Sequence, residues 1–292
     1  MINYSFIIPH HNCPLFLNRL LGTIPVRDDI EIIVVDDNSD CDKKPYNLRD
    51  GVKLINLEAN ESKGAGHARN VGLDVATGKW LLFADSDDYY LEGFISDLDQ
   101  YVDSNADIIL FSAFVDYKQG DLINDKERNY IENTFDIFYN SPKNQIDIKK
   151  VACTVNVPWN KMYSHNFINE IGNRFEEIPI SNDAWFVKNA GVNCKEVEIL
   201  DKRLYFYICY TNSITSKRRP LKHYYQAIDS NTRRNILLRK HNLCELIEFP
   251  GFNKHNILRD FGRAVFVRLF VYKLFTDPTY LKAIYTKLKR RD

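Results

Sequence analysis

Two short apolar runs constrain this chain more than any other feature. Residues 30–35 (IEIIVV) are β-branched and nearly free of polar groups, and residues 79–84 (KWLLFA) are apolar after their first position. Runs of this length and composition are strands buried on both faces, as in a mainly parallel sheet with helices covering each side. Each run halts abruptly at acid: Asp36-Asp37-Asn38-Ser39 after the first, and Asp85, Asp87 and Asp88 after the second. Around them strands and helices alternate. Residues 4–8 (YSFII) read as a strand ended by Pro9, 15–24 as a helix with Leu17, Leu20, Leu21 and Ile24 at helical spacing, and 52–57 as a strand. Residues 64–76 read as a glycine-led helix, 91–102 as a helix and 106–115 as a strand. The expectation is an α/β fold with a mixed, mainly parallel, Rossmann-like sheet flanked by helices.

In such sheets ligands bind beyond the carboxyl ends of the strands. Paired carboxylates repel and resist leaving water unless positive charge balances them. Acid recurring at the ends of two successive buried strands therefore points to a cation seat. Hard divalent ions, Mn²⁺ or Mg²⁺, prefer carboxylate oxygens, and Mg²⁺ takes one or two of them together with substrate phosphates.

Past residue 120 the pattern loosens. Residues 120–133 read as a polar loop, 158–183 as short helices and turns, and 181–190 as the opening of a helix with Ser181, Asn182 or Asp183 as its cap. Residues 195–200 and 204–209 read as two strands, and helices dominate from 220 onward. Charge divides the chain in the same place. Residues 217–292 hold 18 Lys and Arg against 6 Asp and Glu, whereas the remainder holds 21 against 33, so a net charge of zero conceals +12 and −12. The expected organisation is a catalytic domain over 1–216 and a basic helical extension over 217–292. The extension is expected to meet something anionic, such as a phosphorylated ligand or membrane surface. Arg259 and Arg268, nine residues apart, lie about 180° apart on a continuous helix, which argues against a clean interfacial face. No recognisable nucleic-acid-binding module appears. Six scattered cysteines without CxxC spacing, and an N-terminus MINYSFIIPHHN without a basic leader region, lead to the expectation of a cytoplasmic chain with reduced thiols.

The blocks SFIIPHHN, IEIIVVDDNSD, GAGHARNVGLDVATGKWLLFADSDD and PWNKMY…RF…SNDAWF…LYFY…NSIT, in this order, resemble family 2 glycosyltransferases of the GT-A fold over residues 4–216. The resemblance implies inverting, metal-dependent transfer of a sugar from a nucleoside diphosphate, UDP by expectation, to an acceptor hydroxyl. It implies a glycan or lipid-linked glycan as acceptor, in bacterial surface polysaccharide synthesis (capsule, O-antigen or lipooligosaccharide), on the inner face of the cytoplasmic membrane. It places Pro9, Asp37, Arg69, Asn70, Asp85, Ser86, Ser213 and Lys217 on the donor side, with Asp36 and Asp88 in lesser roles. Asp87 becomes the metal ligand. Asp183 becomes the general base that takes the acceptor's proton. The chain departs from the family at Asn182, where a Glu is usual, and so lacks a like charge beside Asp183. Trp159 and Trp185 are candidates either for sugar stacking or for the core. A sugar-1-phosphate nucleotidyltransferase would carry a glycine-rich N-terminal loop, which PHHNCPLF lacks, and an inactive scaffold would not need Asp85, Asp87 and Asp183 together.

Overall fold

The computed structural model of the protein describes residues 1–58, 62–117, 147–209, 219–248 and 254–277. Its strands are β1 (Tyr4–His10), β2 (Ile30–Asp36), β3 (Val52–Asn56), β4 (Trp80–Phe83), β5 (Tyr89–Tyr90), β6 (Ile108–Tyr117), β7 (Lys161–Ser164) and β8 (Val197–Cys209). They form one sheet in the order β3-β2-β1-β4-β7-β6-β8-β5. The four strands on the β3 side, through β4, run parallel, and so do β6 and β8. β7 is antiparallel to both of its neighbours, and β5 to β8.

The apolar runs dictate this arrangement. Every residue of β1 is buried, and its side chains alternate between two cores. Phe6 and Ile8 face one core together with Leu17, Leu20 and Leu21 of α1 (Pro14–Thr23) and Ile32 and Val34 of β2. Ile7 faces the other with Ala68 and Leu73 of α2 (Ala65–Val75), Ile33 and Val35 of β2, and Phe83. Helix α3 (Phe94–Asp99) joins the first core; α4 (Ile148–Thr154), α5 (His165–Glu170) and α6 (Ala184–Asn193) join the second. Each large apolar side chain so buried contributes about 1.5–3 kcal/mol.

Several elements differ from the sequence expectation. The helix expected over 91–102 is confined to α3, because Tyr89 and Tyr90 pair with Phe206 and Tyr205 and the chain turns through Gly93 at φ 78°. The two strands expected over 195–209 are one, β8, whose pairing with β6 shifts register between Leu110 and Ala113. Strand β7 lay within a segment expected to hold only short helices and turns. Four residues buried almost throughout carry no alternation, and Lys161 disguises the strand. Its ammonium is buried and donates to the carbonyls of Val155 (2.9 Å) and Val157 (2.8 Å) and to Asn160 Oδ1 (2.7 Å). Desolvation pushes that ammonium down to about 7.

The chain divides into two compact units, Met1–Glu177 with Asn182–Tyr210, and Ile178–Ser181 with Thr211–Asp292. The second contains α7 (Leu221–Lys240) and α8 (Lys254–Thr276), joined by an apolar cluster of Tyr224, Ile228, Ile257 and Leu269. Beside it lies a buried polar network. Lys273 pairs with Asp277 at 2.9 Å and donates to Asn231 Oδ1 at 2.6 Å, while Asn235 donates to Asp277 at 3.0 Å and Arg234 to Glu248 at 3.0 Å. α8 is not one continuous helix: Gly262, at φ 78° and ψ 180°, interrupts it in a conformation that only glycine adopts without strain.

Candidate active site

The parallel strands β1, β2 and β4 deliver their carboxyl ends to one edge of the sheet. His10 ends β1 directly opposite Asp36, which ends β2, and Ile7 stands opposite Phe83, which ends β4 two residues before Asp85. This edge is the acidic one.

His10 and Asp36 form its base. His10 Nδ1 lies 2.8 Å from Asp36 Oδ1, both groups are buried, and Nε2 accepts from Cys13 N–H at 3.3 Å. Desolvation lowers the imidazole pKa despite Asp36, which fits a neutral ring that donates through Nδ1 and accepts through Nε2. Asp36 is thereby committed to structure, together with Ser39, whose hydroxyl also donates to it. Asp37 is held differently. Its carboxylate accepts from Lys63 N (2.9 Å), Gly64 N (2.6 Å) and the Ser62 hydroxyl. A carboxylate has about four acceptor sites, so roughly one remains. Pro9 is buried in β1 opposite Val35, immediately before these groups.

The three carboxylates after β4 take separate environments. Asp88 is fully buried and accepts from Tyr205 Oη at 2.9 Å and Ile208 N at 2.8 Å, and so ties the turn to β8. Burial, then Asp85 and Asp87, raise its pKa well above the carboxylate range. Asp85 is partly exposed and receives Arg69 Nη2 at 2.5 Å. Its backbone N–H donates to Tyr205 Oη at 3.0 Å. Asp87 is part-buried, and no described side chain donates to its carboxylate; Arg19 reaches only its backbone carbonyl. Desolvation first, and then Asp85, push its pKa up to about 6. Ser86 is buried, its hydroxyl 3.0 Å from Cys13 Sγ.

The raised Asp87 pKa makes the site costly when no cation is bound. A carboxyl whose folded pKa exceeds its unfolded value favours folding below the unfolded pKa and loses that contribution as pH rises through the folded one. We expect Asp87→Asn to stabilise the protein in EDTA at pH 7 by about 2 kcal/mol and to flatten the stability profile between about pH 4 and 6. Parallel wild-type and variant denaturation profiles that differ by less than ~0.5 kcal/mol throughout would contradict this.

Arg69 connects this edge to the segment that carries Asp183. Its guanidinium, nearly buried on α2, donates to Asp85 through one arm and to Asn182 Oδ1, at 3.0 Å, through the other, and lies 5.3 Å from the Phe175 ring centroid. Two packing features bring that segment close. Phe83 of β4 contacts Phe175 at 4.9 Å and Phe186 of α6 at 5.3 Å, and the latter two rings stack at 4.0 Å. Gly66 lets the chain approach α2, for a Cβ there would fall 2.2 Å from the Glu176 carbonyl oxygen. Asn70 contributes from the same helix. Its amide donates to Phe175 O (3.0 Å) and accepts from Phe175 N (2.9 Å), so both ends are used to hold this segment. Asp183 occupies the N-cap position of α6, yet its side chain makes no capping hydrogen bond. Helix capping therefore does not account for it. Its charge acts on Lys161 and Tyr163.

Of the expected site residues, the structure brings Pro9, Asp37, Arg69, Asp85, Ser86 and Asp87 to the sheet edge, and Arg69 bridges to Asn182, the neighbour of Asp183. Asn70 serves the support of that edge. Ser213 and Lys217, with Thr215 and Arg218, lie outside the described residues; Arg219 donates to the Pro179 carbonyl. Trp159 is a core residue, stacked on Tyr205 at 4.8 Å and Tyr207 at 5.3 Å. Sequence reasoning missed the His10–Asp36 pair and the anchoring of Asp88. The first had a signal, a histidine ending a strand beside an acid-ending strand. The second depends on β8, more than a hundred residues away, and had none. Among the described residues no group of three or more His, Cys, Asp or Glu side chains is arranged to hold a metal alone. Asp87 with Asp85 nearby fits a divalent ion that completes its coordination with ligand oxygens, the usual arrangement for Mg²⁺.

Comparison with known proteins agrees with this architecture. The chain is 25% identical over 217 residues to the poly(ribitol-phosphate) beta-N-acetylglucosaminyltransferase TarS of Staphylococcus aureus, covering 71% of this chain and 35% of that one. It is 34% identical over 129 residues to the GalNAc(5)-diNAcBac-PP-undecaprenol beta-1,3-glucosyltransferase of Campylobacter jejuni, covering 42% and 41% of the respective chains. The chain thus spans about a third of the first relative's length. The crystal structure of S. aureus TarS 1–349 in complex with UDP-GlcNAc superimposes with a TM-score of 0.72 at 19% identity, over 94% of this chain and 80% of that one. That likeness establishes the GT-A fold. Residues 5–172 match the family described as Glycosyl transferase family 2, and the chain belongs to that family.

Proposed function

We propose that the protein transfers a sugar from UDP to an acceptor hydroxyl with inversion at the anomeric carbon, in the assembly of a bacterial surface polysaccharide. The observation that carries this reading is the unbalanced Asp87 carboxylate at the parallel sheet edge, joined through Asp85, Arg69 and Asn182 to the segment bearing Asp183. The TarS and undecaprenol-linked relatives support a nucleotide-sugar donor and a glycan or lipid-linked acceptor.

On the donor side, the remaining acceptor site of Asp37 receives an N–H of the nucleotide base, beside Pro9. Asp85, oriented by Arg69, faces the ribose, and Ser86 sits between it and Asp87. Asp87 holds Mn²⁺ or Mg²⁺, which when bound offsets the charge that develops on the leaving diphosphate. Asp183 accepts the acceptor hydroxyl's proton as that oxygen attacks the face opposite the leaving group. Because Asn182 is neutral, Arg69 engages it without adding a second carboxylate next to the base. The catalytic role belongs to residues 1–216. The basic extension, 217–292, associates peripherally with the inner face of the cytoplasmic membrane. Among the described residues no helix is long and apolar enough to cross a membrane.

A donor panel tests the reaction. In Mn²⁺ we expect slow hydrolysis of at least one UDP-sugar in the absence of acceptor, suppressed by EDTA. Turnover of no nucleotide sugar, with or without metal and cell-envelope extract as acceptor source, would overturn the proposal.

A further inference from the structure

The break at Gly262 changes the geometry of the basic extension. The angular separation of Arg259 and Arg268 holds only for a continuous helix, and the φ 78°, ψ 180° residue between them ends that continuity. After Gly262 the exposed positions of α8 are Arg263, Ala264, Val267, Arg268, Val271 and Phe275. At ~100° per residue these six fall within an arc of about 140°, with Arg263 at one margin, Arg268 at the other and the apolar side chains between them. Val267 is 56% exposed, Val271 40% and Phe275 85%. None of the six is acidic.

The opposite side of the same helix is fixed inward. Leu269 packs with Tyr224, Ile228 and Ile257, and Lys273 is held by Asp277, Asn231 and Thr232. The apolar arc consequently cannot turn into this unit's core without breaking the buried hydrogen bonds that join Lys273 and Asp277 to Asn231, Thr232 and Asn235 of α7. It is a face that needs an external partner, and its charge selects one. A second copy docked about a two-fold axis would bring basic margins against basic margins, and like charges there oppose association. An anionic bilayer suits it: apolar side chains enter the acyl boundary while guanidinium groups meet lipid phosphates.

We propose that the Val267–Val271–Phe275 face of α8, flanked by Arg263 and Arg268, is the surface by which the protein docks on anionic phospholipid. The inference rests on the membrane association proposed above and assigns it to one face instead of to the diffuse charge of the extension.

Co-sedimentation of the full chain with phosphatidylcholine vesicles, with and without phosphatidylglycerol, tests it. Wild type should bind the anionic vesicles preferentially. Val271→Glu combined with Phe275→Glu should weaken binding by about tenfold or more. Arg263→Gln and Arg268→Gln should each cost about fivefold. Because these positions are exposed, thermal unfolding should be unchanged, whereas Lys222→Gln with Lys240→Gln, which removes charge from α7, should leave binding within about twofold. Equal losses in that control pair and in the arginine variants would overturn the assignment to this face while leaving membrane association standing. Equal binding of wild type to both vesicle types would overturn the arginines' role. Binding to neither would remove the membrane reading and this face together. A dimer abolished by Val271→Glu, without vesicle binding, would assign the face to a second copy instead.

Discussion

Asp183→Asn is expected to reduce transfer by about 10²–10⁴-fold, the usual contribution of a positioned general base, while UDP affinity stays within about twofold. The substitution keeps the side chain's shape and one acceptor oxygen but removes the group able to take a proton. Because the Asp183 side chain does not cap α6, its loss should leave the start of that helix intact. A capping residue would give the opposite pattern: a destabilised helix and nearly normal turnover. Steady-state kinetics together with thermal unfolding separates the two. Near-normal turnover would remove Asp183 from the base role.

Arg69→Met is expected to lower both stability and turnover. The guanidinium is almost buried and makes charge-assisted hydrogen bonds to Asp85 and Asn182 besides lying near the Phe175 ring. Loss of one partner from a buried pair costs about 3–5 kcal/mol, but Asp85 is partly open to water, so about 2–3 kcal/mol is the better expectation here. Turnover should fall by about 100-fold, through weaker donor binding and through loss of the link between donor and acceptor sides. Arg69→Lys should rescue little, since one ammonium cannot reproduce the two-armed fork. Full activity in the methionine variant at a temperature where it remains folded would show that the bridge is dispensable.

What the sequence made legible follows from where the determinants lie. β1, β2, β4 and the acidic edge are written in contiguous apolar runs and in the residues that stop them, so periodicity finds them. β5 and β7 are two- and four-residue strands whose existence depends on partners elsewhere in the sheet. Local pattern cannot reveal those. The site divides the same way. Asp85, Asp87 and Asp88 stand together in the sequence, but their roles separate only when Arg69, from α2, and Tyr205 and Ile208, from β8, arrive at two of them. Asn70 shows the converse. Its place in HARN suggests a ligand contact, and the folded chain uses both ends of its amide on the Phe175 backbone. In the extension a single glycine decides the outcome. Helical phase counted through Gly262 sets Arg259 about 180° from Arg268; the break takes Arg259 off that helical face and leaves Arg263 and Arg268, both beyond it, at the two margins of one face.

In the proposed reaction Asp87, beyond β4, would hold a divalent ion together with the nucleoside diphosphate. Calorimetric titration of UDP with and without Mn²⁺, on wild type and on Asp87→Ala, tests it most directly. The expected result is measurable UDP binding to wild type in Mn²⁺, weakened by about tenfold or more in EDTA, and binding to Asp87→Ala that is weak and indifferent to the metal. UDP binding of equal affinity with and without Mn²⁺, unchanged in Asp87→Ala, would contradict the claim.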